Sequence, residues 1–286
     1  MAKLKLHTGF TVKTLILRLL IMLVAGYAGL CLLLFLAQRR LLYFPQQQEP
    51  GSALREARIR NLEPWRDETG RILGWWAKHP SGRPEGILLI LHGNAGAALD
   101  RTHYRDAFQT RTMPLALDIL LLEYPGYGPR DGTPTESTLL QAGVEALDRL
   151  KQESARPVYL LGESLGSAVA ALTAAQRPDA VRGLLLVTPL KSIPAISRRH
   201  YPLLPSFLIR DVFRADKALA SLQMPISFLV AGQDEVVFTD LGMQLYEGYR
   251  GPKRLWLETQ AQHNTVDSSP GLLRWREMLV FAATRE

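Results

Sequence analysis

One short segment of the chain holds a serine in the setting that a nucleophile requires. Residues 162–166 read Gly-Glu-Ser-Leu-Gly, directly after an apolar run and directly before a helix-forming segment of small residues. This order of strand, sharp turn and helix places Ser164 at the tip of the turn, where side chains at Gly162 or Gly166 would collide. The pattern predicts an exposed hydroxyl beside the unpaired N–H groups of a helix N-terminus. The alternative is a structural glycine turn with an idle serine.

A serine hydroxyl is a weak nucleophile, so it needs a histidine to accept its proton and a carboxylate to orient that histidine. In the chain order Ser, Asp, His, the acid follows a later strand and the histidine follows the last strand. Asp234 lies just after an apolar run, and five residues separate the run 254–257 from His263. Glu235 is the competing acid, but the spacing from strand to loop favours Asp234. We therefore predict Ser164 as nucleophile, Asp234 as acid and His263 as base.

A second glycine-containing loop could stabilise the negative charge of a tetrahedral intermediate, which needs preorganised N–H donors. Residues 92–96 read His-Gly-Asn-Ala-Gly and follow the apolar run 86–91. We predict that the backbone N–H groups of Asn94 and Leu165 form this oxyanion hole, with Ala95 as the second choice for the loop donor.

The segment Glu-Tyr-Pro-Gly-Tyr-Gly at residues 123–128 follows the next strand along the chain. Its simplest interpretation is a tight Pro-Gly turn. A functional interpretation adds that Tyr127 forms a wall of the substrate pocket.

The elements that must position these residues alternate along the chain. Short, continuously apolar runs are typical of strands buried on both faces, and they are separated by helical patterns. The predicted strands are at 73–78, 86–91, 117–123, 158–161, 183–187, 226–231 and 254–257, and the predicted helices at 100–109, 134–151, 165–176, 240–249 and 272–283. This alternation predicts an α/β fold with a mostly parallel central sheet and helices on both faces.

One insertion interrupts the alternation. Residues 189–224 are rich in proline, leucine, arginine and aromatic residues and separate two predicted strands. They would lie at the carboxyl edge of the sheet, where α/β folds hold their sites. We predict a small cap over the pocket; the alternative is an ordinary long crossover helix.

The N-terminal region has the composition of a membrane anchor. Residues 19–37 contain no charged side chain and would extend about 28 Å as a helix, close to the thickness of a bilayer's hydrocarbon core. The chain's net charge of +7 lies entirely within residues 1–60, which argues against a nucleic-acid surface on the remainder. We predict a basic segment at 1–18, a transmembrane helix at 19–37, a polar connector at 38–60 and a catalytic domain at 61–286. A cleaved signal peptide is the alternative to the anchor.

Basic residues flank both ends of the apolar run, so they bias its orientation only slightly. A short basic N-terminus before a first apolar span usually stays inside, and we expect the catalytic domain outside the cytoplasm. Cys31, the only cysteine, lies in the span, which leaves the globular part without disulfides, thiol nucleophiles or cysteine metal sites.

Together these motifs resemble the α/β-hydrolase superfamily, in particular its serine aminopeptidase and monoacylglycerol-lipase-like branch. The motifs are His-Gly-Asn-Ala-Gly, Tyr-Pro-Gly-Tyr-Gly, Gly-Glu-Ser-Leu-Gly, Gly-Gln-Asp-Glu-x-Val and His263-Asn264. The likeness covers about residues 15–285 and extends to membrane-anchored members, through Arg-Leu-Leu-Tyr-Phe-Pro at 40–45. The resemblance implies the same triad and oxyanion residues. One departure is Gln262, where the family usually has glycine.

The sequence thus predicts a single-pass membrane serine hydrolase that acts through an acyl-enzyme and needs no metal or organic cofactor. An ester or thioester with an apolar acyl group is the expected substrate, because the predicted cap is rich in leucine and aromatic residues. A lipid or lysolipid is plausible for an enzyme beside a bilayer. The alternatives are a peptidase of the same fold and a catalytically silent binding module tethered at the membrane.

Overall fold

The computed structural model of the chain describes residues 12–284. The strands in this range are β1 (Phe44–Pro45), β2 (Glu63–Arg66), β3 (Ile72–Ala77), β4 (Gly86–Leu91), β5 (Ala95–Gly96), β6 (Leu117–Leu122), β7 (Val158–Glu163), β8 (Gly183–Val187), β9 (Ile226–Ala231) and β10 (Lys253–Glu258). The α-helices are α1 (Val12–Leu42), α2 (Pro50–Ile59), α3 (Thr102–Phe108), α4 (Glu136–Glu153), α5 (Leu165–Gln176), α6 (Ile193–His200), α7 (Ala215–Leu219), α8 (Thr239–Gly248) and α9 (Leu273–Ala282).

Eight strands form one sheet in the order β10-β9-β8-β7-β4-β6-β3-β2. The pairs from β10 to β6 are parallel, whereas β3 is antiparallel to both β6 and β2. The seven predicted strands are all present. The edge strand β2 was not predicted, because it is only four residues long and contains Pro64, a residue that sheets tolerate at their edges.

Helices cover both faces of the sheet, as the apolar strands require. On one face, α4, α5 and α7 pack side chains such as Leu139, Val169 and Leu219 into the larger core cluster. On the other face, α2, α3 and α9 contribute residues such as Tyr104 and Trp275. The carboxyl ends of the parallel strands therefore share one edge, and the loops that leave this edge hold the predicted site residues.

Helix α1 is longer than the predicted span, since it runs from Val12 to Leu42 and includes the basic residues at both ends of the apolar run. Arginine and lysine are good helix formers, so the charges that bound the apolar run do not end the helix. Within residues 12–284, it is the one helix that is long and apolar enough to cross a membrane. Residues 1–11 of the predicted basic segment lie outside the described residues.

The predicted polar connector at 38–60 is largely regular structure. Its first five residues complete α1, and Glu49 caps α2 by accepting a hydrogen bond from the Ser52 amide at 2.9 Å. Between the two helices, β1 pairs in parallel with β5, which joins Phe44 to Ala95 and Pro45 to Gly96. This pairing joins the end of α1 directly to the predicted oxyanion loop.

The insertion at residues 189–224 forms a small cap rather than one long crossover helix. It contains α6, α7 and a single 3-10 turn at Ser206–Leu208. Four proline residues within the insertion break the chain into these short pieces. The cap also contacts α1: Arg39 forms two hydrogen bonds to the Asp211 carboxylate, at 2.9 and 3.2 Å.

Candidate active site

Ser164 lies at the tip of a strained turn between β7 and α5. Its φ angle is +53°, in a region that side chains other than glycine rarely adopt, and its amide donates to the Val187 carbonyl at 2.9 Å. A Cβ atom at Gly166 would overlap the carbonyl oxygen of Leu91, and one at Gly162 would overlap the backbone of Gly166. Both glycines are therefore required by close packing of the turn against β4 and α5.

Three side chains predicted from separate parts of the chain come together above this turn. His263 Nε2 is 2.9 Å from Ser164 Oγ, and His263 Nδ1 is 2.8 Å from Asp234 Oδ2. Because the carboxylate can only accept, Nδ1 carries the proton, and Nε2 is free to accept one from the serine hydroxyl. Glu235, the competing acid, is exposed and does not share this contact.

The Asp234 carboxylate is held in its ionised form. Burial favours the neutral acid, but hydrogen bonds from His263 and from the backbone N–H groups of Val237 and Val236 outweigh it and lower the pKa of Asp234. Both backbone bonds reach Oδ1 at 2.9 Å, leaving Oδ2 for the histidine. The carboxylate thus fixes the ring orientation and can stabilise an imidazolium.

Hydrogen bonds from several elements hold the predicted oxyanion loop in place. The Asn94 side chain donates to the Leu42 carbonyl at 2.8 Å, while the Asn94 carbonyl accepts from the Phe44 amide at 2.9 Å and from the Tyr127 hydroxyl at 2.8 Å. Tyr127 is fully buried, so the structure places it beneath the loop as a positioning residue rather than on a pocket wall. Leu165 is the first residue of α5, so its N–H group has no acceptor within the helix.

Two buried titratable side chains, His92 and Glu123, lie beneath this loop. His92 Nδ1 donates to the Gly93 carbonyl at 2.8 Å, which leaves Nε2 as an acceptor 3.8 Å from Glu123 Oε1. Burial, with the nearby Arg101 charge, lowers the pKa of His92 to about 3. Burial also raises the pKa of Glu123 to about 7, although hydrogen bonds from the Ala98 amide and the Trp75 indole oppose that shift. The distance between His92 Nε2 and Glu123 Oε1 is too long for a hydrogen bond, and Nε2 has no hydrogen-bond partner among the described residues.

This arrangement predicts a pH-dependent gain in stability for Glu123→Gln. The folded-state pKa lies above the unfolded value of about 4.3, so the wild-type stability falls as pH rises from about 4 to 7. Glutamine does not titrate. Its amide group must face either the Ala98 or the Trp75 N–H donor, a cost that does not change with pH. We therefore expect the stability of the variant relative to the wild type to improve by on the order of 3 kcal/mol between pH 4 and pH 8.

Urea unfolding of the detergent-solubilised protein at pH 4 and pH 8 measures this difference. Glu247→Gln, which removes an exposed carboxylate on α8, is the control and should give the same small effect at both values of pH. A difference between Glu123→Gln and the wild type that is the same at pH 4 and pH 8, or that grows to the variant's disadvantage at pH 8, would contradict a raised pKa of Glu123.

A polar cavity of about 160 Å³ adjoins His263. Arg101 and Glu163 line it and form an ion pair, with Arg101 Nε 3.1 Å from Glu163 Oε2. Neither this cavity nor any other part of residues 12–284 contains three or more His, Cys, Asp or Glu residues grouped to hold a metal ion.

Sequence reasoning missed two groups that support the site. Ser167 accepts a hydrogen bond from the Leu190 amide at 2.8 Å and donates one to the Ser164 carbonyl at 2.6 Å, which ties the turn to the start of the cap. Sequence analysis placed Glu123 only as the last residue of the predicted strand 117–123, without a role in the site. A buried acid at the end of an apolar strand was the available signal, since such a residue needs buried partners.

The fold and this arrangement of residues define the α/β-hydrolase class of proteins. A model of the alpha/beta hydrolase family matches residues 88–283, which is more than half of the sequence. The chain belongs to the alpha/beta hydrolase family.

Two relatives match the chain by sequence. An uncharacterised protein of Mycobacterium tuberculosis, Rv2307c, is 34% identical over 258 residues, 88% of each chain. The lysophosphatidylserine lipase ABHD12 of Danio rerio is 27% identical over 205 residues, which cover 64% of this chain and 52% of the lipase. The family and its lipase relatives indicate that the protein is a hydrolase.

A solved structure agrees with the fold. Est1E from Butyrivibrio proteoclasticus superposes with a TM-score of 0.60 at 16% identity, over 77% of this chain and 97% of the esterase. At this level of identity the similarity supports the α/β-hydrolase fold alone.

Proposed function

We propose that the protein is a membrane-anchored serine hydrolase that cleaves an ester or thioester with an apolar acyl group through an acyl-enzyme. The observation that carries the proposal is the continuous hydrogen-bonded series from Ser164 through His263 to Asp234. A nucleophile, a base and an orienting acid in contact are the set that acyl transfer requires.

In the first half of the proposed reaction, His263 Nε2 takes the hydroxyl proton while Ser164 Oγ bonds to the carbonyl carbon of the substrate. The carbonyl electrons move to oxygen, and the N–H groups of Leu165 and Asn94 stabilise that charge. Asp234 stabilises the imidazolium. The intermediate then expels the alcohol or thiol, which receives the proton from His263 and leaves an acyl group on Ser164.

In the second half, His263 removes a proton from water, and the resulting oxygen attacks the acyl carbon. The second tetrahedral intermediate expels Ser164 Oγ, which regains its proton from His263, and the carboxylic acid is released. The net reaction consumes one water molecule for each ester that is cleaved.

Reaction with a fluorophosphonate probe tests the proposal, because such probes phosphonylate only an activated serine. The wild type should become labelled, and Ser164→Ala should lose the label. Ser81→Ala, which changes an exposed serine in a distant loop, is the matched control and should label normally.

Wild-type protein that resists the probe, or equal labelling of Ser164→Ala, would contradict a serine mechanism and favour the silent binding module. Comparison of a p-nitrophenyl ester with the matching p-nitroanilide separates an esterase from a peptidase.

Helix α1 supports the membrane anchor in this proposal by its length and composition. We also propose that the catalytic domain faces away from the cytoplasm. In intact cells, a membrane-impermeant maleimide should label Ser81→Cys at its exposed loop. Labelling that requires lysis would place the domain on the cytoplasmic side.

A further inference from the structure

An apolar cavity of about 250 Å³ lies between α1 and the cap. Its α1 wall is formed by the last third of the helix, and its opposite wall by α6 and the segment that follows α6. The lining residues used below are Leu34, Gln38, Leu42, Ile196, Asp211 and Val236.

Three of the polar side chains on the cavity wall, those of Gln38, Asp211 and His200, have protein partners. Gln38 donates to the Leu208 carbonyl at 3.2 Å and accepts from the Arg210 amide at 2.7 Å. Asp211 is bound by Arg39 at 2.9 Å, and His200 Nε2 is 3.1 Å from the Val236 carbonyl. Polar groups that are paired in this way offer little to a polar ligand, so the cavity is suited to hydrocarbon.

One lining residue belongs to the loop that contains Asp234, and another is hydrogen-bonded to the predicted oxyanion loop. Val236 lines it, and the Val236 amide binds the Asp234 carboxylate at 2.9 Å. Leu42 lines it as well, and the Leu42 carbonyl binds the Asn94 side chain at 2.8 Å. Val236 therefore connects the cavity with the loop that contains Asp234, and Leu42 connects it with the predicted oxyanion loop.

The surroundings of the cavity connect it with the bilayer. Tyr27, in the middle of the apolar run, donates a hydrogen bond to the Leu203 carbonyl of the cap at 2.7 Å. Leu203 and Phe207 are 80% and 84% exposed beside this helix. Exposed apolar side chains at the level of an apolar helix are typical of a surface that enters a membrane.

We propose that this cavity binds the acyl chain of the substrate, and that α1 is one wall of the substrate site as well as an anchor. The inference rests on the proposed function. A volume of about 250 Å³ lies below the ~300–1,000 Å³ of sites for drug-sized ligands. The site therefore takes a single chain of medium length from a single-chain amphiphile at the membrane.

Kinetics with p-nitrophenyl esters from acetate to laurate, in one mixed-micelle system, test the proposal. Leu34→Trp fills the cavity from α1, and Ile196→Trp fills it from the cap. Each should lower kcat/KM for octanoate by about tenfold or more, the effect of excluding roughly two methylene groups from an apolar site. Each should leave the rate for acetate close to the wild-type value.

Leu33→Trp is the matched control, because Leu33 neighbours Leu34 on α1 but is exposed and does not line the cavity. It should keep the wild-type chain-length profile. Unchanged profiles in both filling variants, or equal losses for acetate and octanoate, would overturn the acyl site while leaving the hydrolase intact. Absence of acetate hydrolysis and of probe labelling in the wild type would instead overturn the proposed function.

Discussion

Replacing His263 with alanine is expected to lower kcat for a p-nitrophenyl ester by about 10⁶-fold, with little change in KM. The side chain contacts Ser164 Oγ at 2.9 Å and Asp234 at 2.8 Å, so its removal leaves the nucleophile and the attacking water without a base. Residual hydrolysis above the uncatalysed rate would come from the oxyanion donors and substrate binding.

Two further variants sharpen this prediction. Asp234→Asn keeps the size of the side chain but removes its charge, and it should cost about 10⁴-fold in kcat because the histidine is no longer held in the required tautomer. His79→Ala changes a half-buried histidine outside the site and should retain the wild-type rate. Equal turnover by His263→Ala and the wild type would remove the basis for the proposed mechanism.

The second large effect concerns folding. Gly166→Ala adds a Cβ atom that would overlap the carbonyl oxygens of Leu91 and His92. These atoms belong to the backbone of β4 and the following loop, so they cannot move without separating α5 from the sheet. We expect the substitution to destabilise the protein by more than about 4 kcal/mol, in the range of exceptional core mutations, and to abolish soluble folded protein.

Gly248→Ala provides the comparison, since a Cβ atom there meets no other atom within 4 Å. Alanine loses less conformational entropy than glycine on folding, and Gly248 is the last residue of α8, so the control should be neutral or slightly stabilising. Circular dichroism and thermal unfolding distinguish the two variants. A Gly166→Ala protein with native stability would show that the turn does not need its close packing against β4.

The sequence predicted the sheet well because its strands are apolar along their whole length, which leaves few alternatives for segments such as 86–91. It did not predict α2 or β2, where stability comes from partners distant in the chain. Ala53 and Ala57 of α2, for instance, are buried in the core cluster that α2 shares with α3 and α9, yet the helix has no long apolar stripe. Local periodicity carries no information about such contacts.

In the candidate site, too, the sequence predicted what depends on local pattern and missed what depends on distant contacts. Ser164, Asp234 and His263 were placed by strand ends, and the structure brings these side chains into contact. Tyr127 could not be placed, because its buried hydroxyl bond to the Asn94 carbonyl depends on how two loops approach each other. The contribution of α1 to the apolar cavity was equally hidden, since hydropathy describes a span but not what packs on it.

The junction between α1 and β1 has one further consequence. Only Tyr43 separates α1 from the strand that pairs with the predicted oxyanion loop, so the anchor that we propose would be joined to the candidate site without a flexible linker. An enzyme fixed at one height above a bilayer samples molecules that diffuse in two dimensions beside it. Its turnover is then governed by the mole fraction of substrate in the surrounding leaflet, and diluting that leaflet with inert lipid slows the reaction even when the bulk amount of substrate is constant.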